Sequence, residues 1–176
     1  MKKEMTFKEK IANYVLGNYS ISQLPEIALT GLMEGIKSDA LIILAGMSGT
    51  DNSFEIEQYF NKTLRETKIH IPEKIKAAKI VLRYYLNEIL LDPQKAFEIM
   101  NIIHDKVYAN VYQIQPKNFF GEELGLEHMY TWYRELQDFS DNSMLLYYND
   151  LPRDEQKTKF EYHLVEEARI LFEKLT

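Results

Sequence analysis

Residues 71–112, IPEKIKAAKIVLRYYLNEILLDPQKAFEIMNIIHDKVYANVY, decide the fold class. At about 100° per residue, Ile75, Ala78, Val81, Leu82, Tyr85, Leu86 and Ile89 fall in one broad apolar arc of a helix. Ile80 and Tyr84 lie outside that arc, so this helix is expected to meet neighbours on more than one side. Pro72 suits a first helical position, where its missing N–H is no loss. At Asp92-Pro93 the pattern breaks. The proline pushes Asp92 out of helical geometry, and Asp92 is expected to cap a second helix that Pro93 opens. In that helix Ala96, Phe97, Met100, Ile103, Val107, Tyr108 and Val111 share a face. The reading is an all-α protein: a single compact domain of roughly seven to nine helices around a central pair, residues 72–91 and 93–112.

The flanks support this. Thr6-Phe7-Lys8-Glu9 is a capping box, followed by Phe7, Ile11, Tyr14 and Val15 at inward positions of a short helix. Ser20 or Ser22 opens the next, with Pro25 in its first turn and Ile27, Ala28 and Leu32 inside. Ser38 or Asp39 caps the apolar piece ALIILAGM, which ends at Gly46. Polar turn residues 48–53 lead to a helix capped by Asn52 and Glu55, with Ile56, Tyr59, Phe60 and Leu64 at helical spacing. After the central pair, QIQPKNFFGEELG (113–125) is the least regular stretch. A helix is expected from Glu122 to Phe139, then an irregular MLLYYND, then a helix opened by Pro152 with Phe160, Leu164, Ala168, Leu171 and Leu175 on one stripe. No segment alternates as a strand does.

The chain of 176 residues is 45% hydrophobic and 12% aromatic, which excludes wholesale disorder. Without cysteine it has neither disulfides nor thiolate chemistry. The N-terminal residues lack a sustained apolar run, so no signal peptide is read there, and apolar runs such as 40–46 are far too short to span a bilayer. The expectation is a cytoplasmic protein with no membrane segment. Net charge is −6 but segregated: residues 62–83 carry seven bases and two acids, and residues 118–155 carry nine acids and two bases. Such opposed stretches suit complementary docking surfaces or internal pairing.

Little in the chain points to catalysis. His70, His104, His128 and His163 sit in four different segments with no i, i+4 pair and no His-Glu-x-x-His run, so no metal site, catalytic set or cofactor is assigned. His104 falls on an apolar face and reads as a hydrogen-bonded core histidine before a ligand or base. Glu127-His128, close to Glu122 and Glu123, reads as an acidic helix start favoured by the helix dipole. Gly46-Met47-Ser48-Gly49-Thr50 lacks the second glycine of a nucleophile elbow and the lysine of a phosphate loop; a helix C-cap and a turn account for both glycines. The segment 23–46 has the outline of a helix-turn-helix, but its second helix offers Leu41, Ile42, Ile43 and Leu44, which read as buried and cannot read bases.

Two surfaces remain. Lys76, Lys79 and Arg83 line one narrow helix face as a basic stripe, either solvated or offered to nucleic acid; the acidic net charge argues against the latter. Residues 118–151 are the richer candidate. There Phe119, Phe120, Trp132, Tyr133, Tyr147 and Tyr148 interleave with Glu122, Glu123, Glu127, Glu135, Asp138, Asp141 and Asp150. Aromatic anchors in a field of one sign are the raw material of protein interfaces, although the same rings can instead plug the core. The partner-binding candidates are therefore Glu122, Glu123, Glu127, Trp132, Tyr133, Tyr147 and Tyr148, facing a protein with a basic surface.

The order Ser38-Asp39-Ala40-Leu41-Ile42-Ile43-Leu44-Ala45-Gly46-Met47, Glu57-Gln58-Tyr59-Phe60, Leu64-Arg65-Glu66, Ile69 and Pro72 resembles a pattern in small uncharacterised helical bacterial proteins, over residues 36–103. The resemblance implies an all-helical fold and no particular activity. The expected function is non-enzymatic protein–protein binding, with toxin neutralisation as one version. An enzyme or small-ligand binder with a pocket near His104 is the alternative, and a nucleic-acid-associated protein the third. Association with further copies of the chain stays open.

Overall fold

The computed structural model describes residues 4–112 and 120–175, and every regular element within them is helical: eight α-helices and four short 3-10 turns. Its contacts gather the chain into two compact units, one up to Val81 and one from Leu82. None of the described helices is long and apolar enough to cross a membrane.

In the first unit, local caps start each helix where the sequence asks for one. The Thr6 side chain accepts the Glu9 N–H, and the Glu9 carboxylate accepts the Thr6 N–H at 2.7 Å, opening α1 (Phe7–Val15). Glu34 reaches back from beyond α2 (Leu24–Met33) to accept the Phe7 N–H at 2.7 Å. Helix α3 (Asp39–Gly46) is capped twice. Ser38 Oγ accepts the Leu41 N–H at 3.0 Å and donates to Glu66 Oε2 at 2.7 Å, which also accepts the Ala40 N–H at 3.1 Å. Those two bonds, Ser38 first, hold the Glu66 carboxyl below the usual carboxylate range. Asn52 caps α4 (Ser53–Thr67) through the Phe54 N–H. The core of this unit includes Phe7, Ile11, Leu24, Leu41, Leu44, Ile56, Phe60 and Leu64.

Two expectations need correction here. Helix α3 is not buried all round: Leu41 and Leu44 turn inward, but Ile42 and Ile43 are 58% and 43% exposed, because a two-turn helix packed on α2 and α4 covers only one stripe. Gly46 is the last residue of α3 rather than a left-handed cap. Gly49 serves close approach, since a Cβ there would strike the Ser22 carbonyl oxygen.

Helix α5 (Lys74–Leu91) contains the boundary between the units, and beyond it Leu82, Tyr84, Leu86 and Ile89 are buried. Tyr84, outside the expected arc, is the buried tyrosine, and Tyr85 is half-buried. The second half of the 71–112 stretch is more broken than its periodicity predicts. Pro93 opens a 3-10 turn, Pro93–Lys95, and α6 (Ala96–Lys106) starts only after it. Asp92 has left helical geometry (φ −138°, ψ 79°), but its carboxylate caps nothing and instead pairs with Lys95 at 3.3 Å. A further 3-10 turn, Tyr108–Asn110, carries the chain past α6. The apolar face survives these breaks: Ala96, Met100, Ile103, Val107, Tyr108 and Val111 are all buried.

The helix expected from Glu122 is likewise split. A 3-10 turn, Glu122–Leu124, lies between Gly121 and Gly125, both left-handed at φ 83° and 76°, and α7 (Glu127–Ser140) begins after it. Helix α8 (Arg153–Lys174) packs along α7 and also meets α6, burying the expected stripe Phe160, Leu164, Ala168 and Leu171. Leu175, just past its end, is half-buried.

Candidate partner-binding surface

Successive residues of a helix point about 100° apart, and α7 uses this to send Trp132 and Tyr133 into different surroundings. Tyr133 is buried, donates its hydroxyl to Asn101 Oδ1 at 2.5 Å and leans on Phe97 with ring centres 5.5 Å apart. Beside it Tyr130 shares a 2.9 Å hydrogen bond with His104 Nδ1, and Phe120 packs edge-on against Tyr130 at 4.5 Å. Desolvation pushes the Tyr130 hydroxyl far above the usual tyrosine range, with Tyr108 and Tyr133 adding to the effect. The hydroxyls of Tyr108 and Tyr133 are raised by burial as well. The tyrosines of this cluster are interior, His104 sits among them half-buried and hydrogen-bonded, and Phe120, 44% exposed, lies at its outer edge.

Trp132 faces the other way and is half-buried. Its indole stacks flat on His163, with centroids 4.2 Å apart and planes 18° apart, and has Tyr147 at 5.2 Å and Phe160 at 6.3 Å. The Tyr148 hydroxyl shares a 2.6 Å hydrogen bond with His163 Nε2. Tyr148 holds a left-handed backbone at φ 57°, which costs a bulky residue roughly 1–3 kcal/mol.

That backbone is fixed by buried polar side chains. The carboxylate of Glu135, 2% exposed, accepts the N–H groups of Leu146 at 3.0 Å and Tyr147 at 3.4 Å. Gln156, also buried, donates to the Tyr148 carbonyl at 2.8 Å. At and just before these ties Leu145 is buried, while Met144, Leu146 and Tyr147 stand 82%, 68% and 44% exposed. Asp141 and Asp150 are exposed on either side. The connection between α7 and α8 is thus a tethered loop that holds apolar side chains in water.

The structure divides the sequence candidates. Trp132, Tyr147 and Tyr148 come together around His163, whereas Tyr133 belongs to the interior cluster. Glu122 is exposed; Glu123 and Glu127 are half-buried, with Glu127 Oε2 buried and without a hydrogen-bond partner among the described residues. Phe119 lies outside the described residues. On the basic stripe Lys76 and Lys79 are exposed, but the Arg83 guanidinium lies 4.6 Å over the Phe172 ring. Glu135, Gln156 and His163 were not singled out from sequence as site residues. The available signal was Glu135 at i+3 from Trp132, an acid on a face of rings that must find donors once buried. Among the described residues no group of three or more histidine, aspartate or glutamate side chains is placed to hold a metal ion.

The chain matches no protein-family model, no curated protein and no solved structure. Leu41, Leu44, Phe60 and Leu64 are core residues of the first unit.

Proposed function

We infer that this protein works by binding another protein, and that the loop between α7 and α8 meets the partner. The observation that carries this reading is the exposure of Met144, Leu146 and Tyr147 on a backbone tied to Glu135 and Gln156. Apolar side chains held out in water lower solubility unless something covers them. A backbone already fixed loses little further freedom on association. Tyr147 rests on Trp132, and tyrosine and tryptophan are over-represented among residues that dominate interface energies. Asp141 and Asp150 beside the loop, with Glu122 elsewhere in the acidic segment, favour a partner with a basic surface.

The test begins with a photo-crosslinking residue at position 147 and the same residue at exposed position 174, in cells, to identify what the loop touches. The purified partner is then titrated against the wild-type chain and Leu146→Asp. Expected are a crosslink specific to position 147, affinity weakened about tenfold or more by Leu146→Asp, and association slowed by salt. Equal crosslinking at both positions, or equal affinity for the variant, overturns the reading.

A further inference from the structure

The first unit carries a second surface of opposite character. Helix α4 ends before Lys68, whose left-handed backbone (φ 56°, ψ 29°) turns the chain into a connector without regular structure, residues 69–73, ahead of α5. Hollows open on both sides of it. One, of about 600 Å³, is lined by Leu64, Arg65 and Ile69. The other, of about 730 Å³, is lined by Lys8, Ile11, Lys76 and Ile80. Residues 68–71 border both.

Three observations describe what this groove accepts. Its rim is cationic: Lys8, Arg65, Lys68 and Lys76 are lining residues with no ion-pair partner among the described residues, and Glu73 is the sole carboxylate in either lining. Its floor is aliphatic, from Ile11, Leu64, Ile69 and Ile80. The connector has no regular structure, and the backbone N–H groups of His70 and Ile71 donate to no protein acceptor among the described residues. Free backbone donors beside cationic side chains and apolar hollows suit a segment that brings carbonyls, carboxylates and aliphatic side chains.

We propose that this groove binds a segment of a partner protein that carries both carboxylate and aliphatic side chains. Carboxylates meet Lys8, Lys68 and Lys76, aliphatic side chains enter the hollows, and carbonyls accept from the connector. Nucleic acid fits less well, because among the described lining residues His70 is the one aromatic ring on which a base could stack. The groove belongs to the first unit, and the proposal does not rest on the function proposed for the acidic loop of the second.

The test uses the full chain and three labelled probes, read by fluorescence anisotropy: a short peptide of alternating glutamate and leucine, its glutamine–leucine counterpart, and oligothymidine. The glutamate peptide is expected to bind best, less tightly as salt rises. Lys68→Glu with Lys76→Glu is expected to weaken it about tenfold or more, and Lys174→Glu to leave it unchanged. Circular dichroism checks that each variant is folded, and Lys8→Glu, on another helix, replaces the double variant if that one is not. Absence of glutamate-peptide binding, equal binding of the glutamine peptide, tighter binding of oligothymidine, or equal weakening by Lys174→Glu each overturns the proposal.

Discussion

Glu135 shows how one side chain sets the form of a loop. It is 2% exposed and its carboxylate serves backbone amides that the loop cannot satisfy by itself. Glu135→Ala removes the acceptor while the amides stay in place, which costs about 2 kcal/mol in chemical denaturation. Glu135→Gln keeps one acceptor oxygen and is expected to cost about half of that. Trp132 is the single tryptophan and lies against Tyr147, so release of the loop in the alanine variant also shifts its emission to the red. If both variants match the wild type in stability and emission, the loop is not held by Glu135. Glycine offers a second contrast at this scale. Gly121 (φ 83°) is left-handed and a Cβ there would lie 2.7 Å from Tyr130 Cδ2, whereas Gly17 (φ 86°) has nothing within 4 Å. Gly17→Ala then costs about 1 kcal/mol for the backbone alone. Gly121→Ala costs about 3 kcal/mol, because a buried ring must also move. Equal losses in the two variants would rule out the contact with Tyr130.

At the scale of the element, capping separates helices that look alike in sequence. Ser38 and Asp92 each precede an apolar helical run, but Ser38 accepts the Leu41 N–H while Asp92 makes no cap bond. Ser38→Ala is expected to cost about 1 kcal/mol or more, since it also takes a donor from Glu66. Asp92→Ala is expected to change stability by less than about 0.5 kcal/mol, because its contact with Lys95 is a surface ion pair. Thermal melts of the two variants decide the matter, and a larger loss at Asp92 would restore the cap the sequence suggests. Legibility follows the same line. Helices with a continuous buried stripe, such as α8 with Phe160, Leu164, Ala168 and Leu171, were readable because periodicity reports burial directly. The 3-10 turns at Pro93–Lys95 and Glu122–Leu124 were not, since helical periodicity continues across a turn that tightens by less than one residue. A helical wheel separates Trp132 from Tyr133 but cannot name their neighbours, so their split between His163 and Asn101 needed the fold. The basic groove was legible only as a charge run, because Lys8 joins it from α1.

For the whole molecule, buried tyrosines make stability depend on alkaline pH. The hydroxyls of Tyr14 in the first unit and Tyr108, Tyr130 and Tyr133 in the second are all raised, in each case chiefly by desolvation. In the unfolded chain these groups lose their protons near pH 10. Above that pH the unfolded state binds fewer protons than the folded one, so stability falls as pH rises. Below it both states are protonated and the contribution is fully present. Denaturation midpoints are therefore expected to hold steady from pH 8 to about pH 10 as far as these groups are concerned, then to drop steeply. Absorbance of tyrosinate during the same titration gives the independent check. A fraction of the 12 tyrosines should ionise gradually, and the remainder abruptly with the loss of helical signal. Tyr130→Phe removes the most strongly shifted hydroxyl, at the cost of its hydrogen bond to His104, and should move the alkaline transition to higher pH. Smooth ionisation of all tyrosines near pH 10 with the helices intact would mean that solvent reaches these hydroxyls, and the interior cluster around His104 would have to be open.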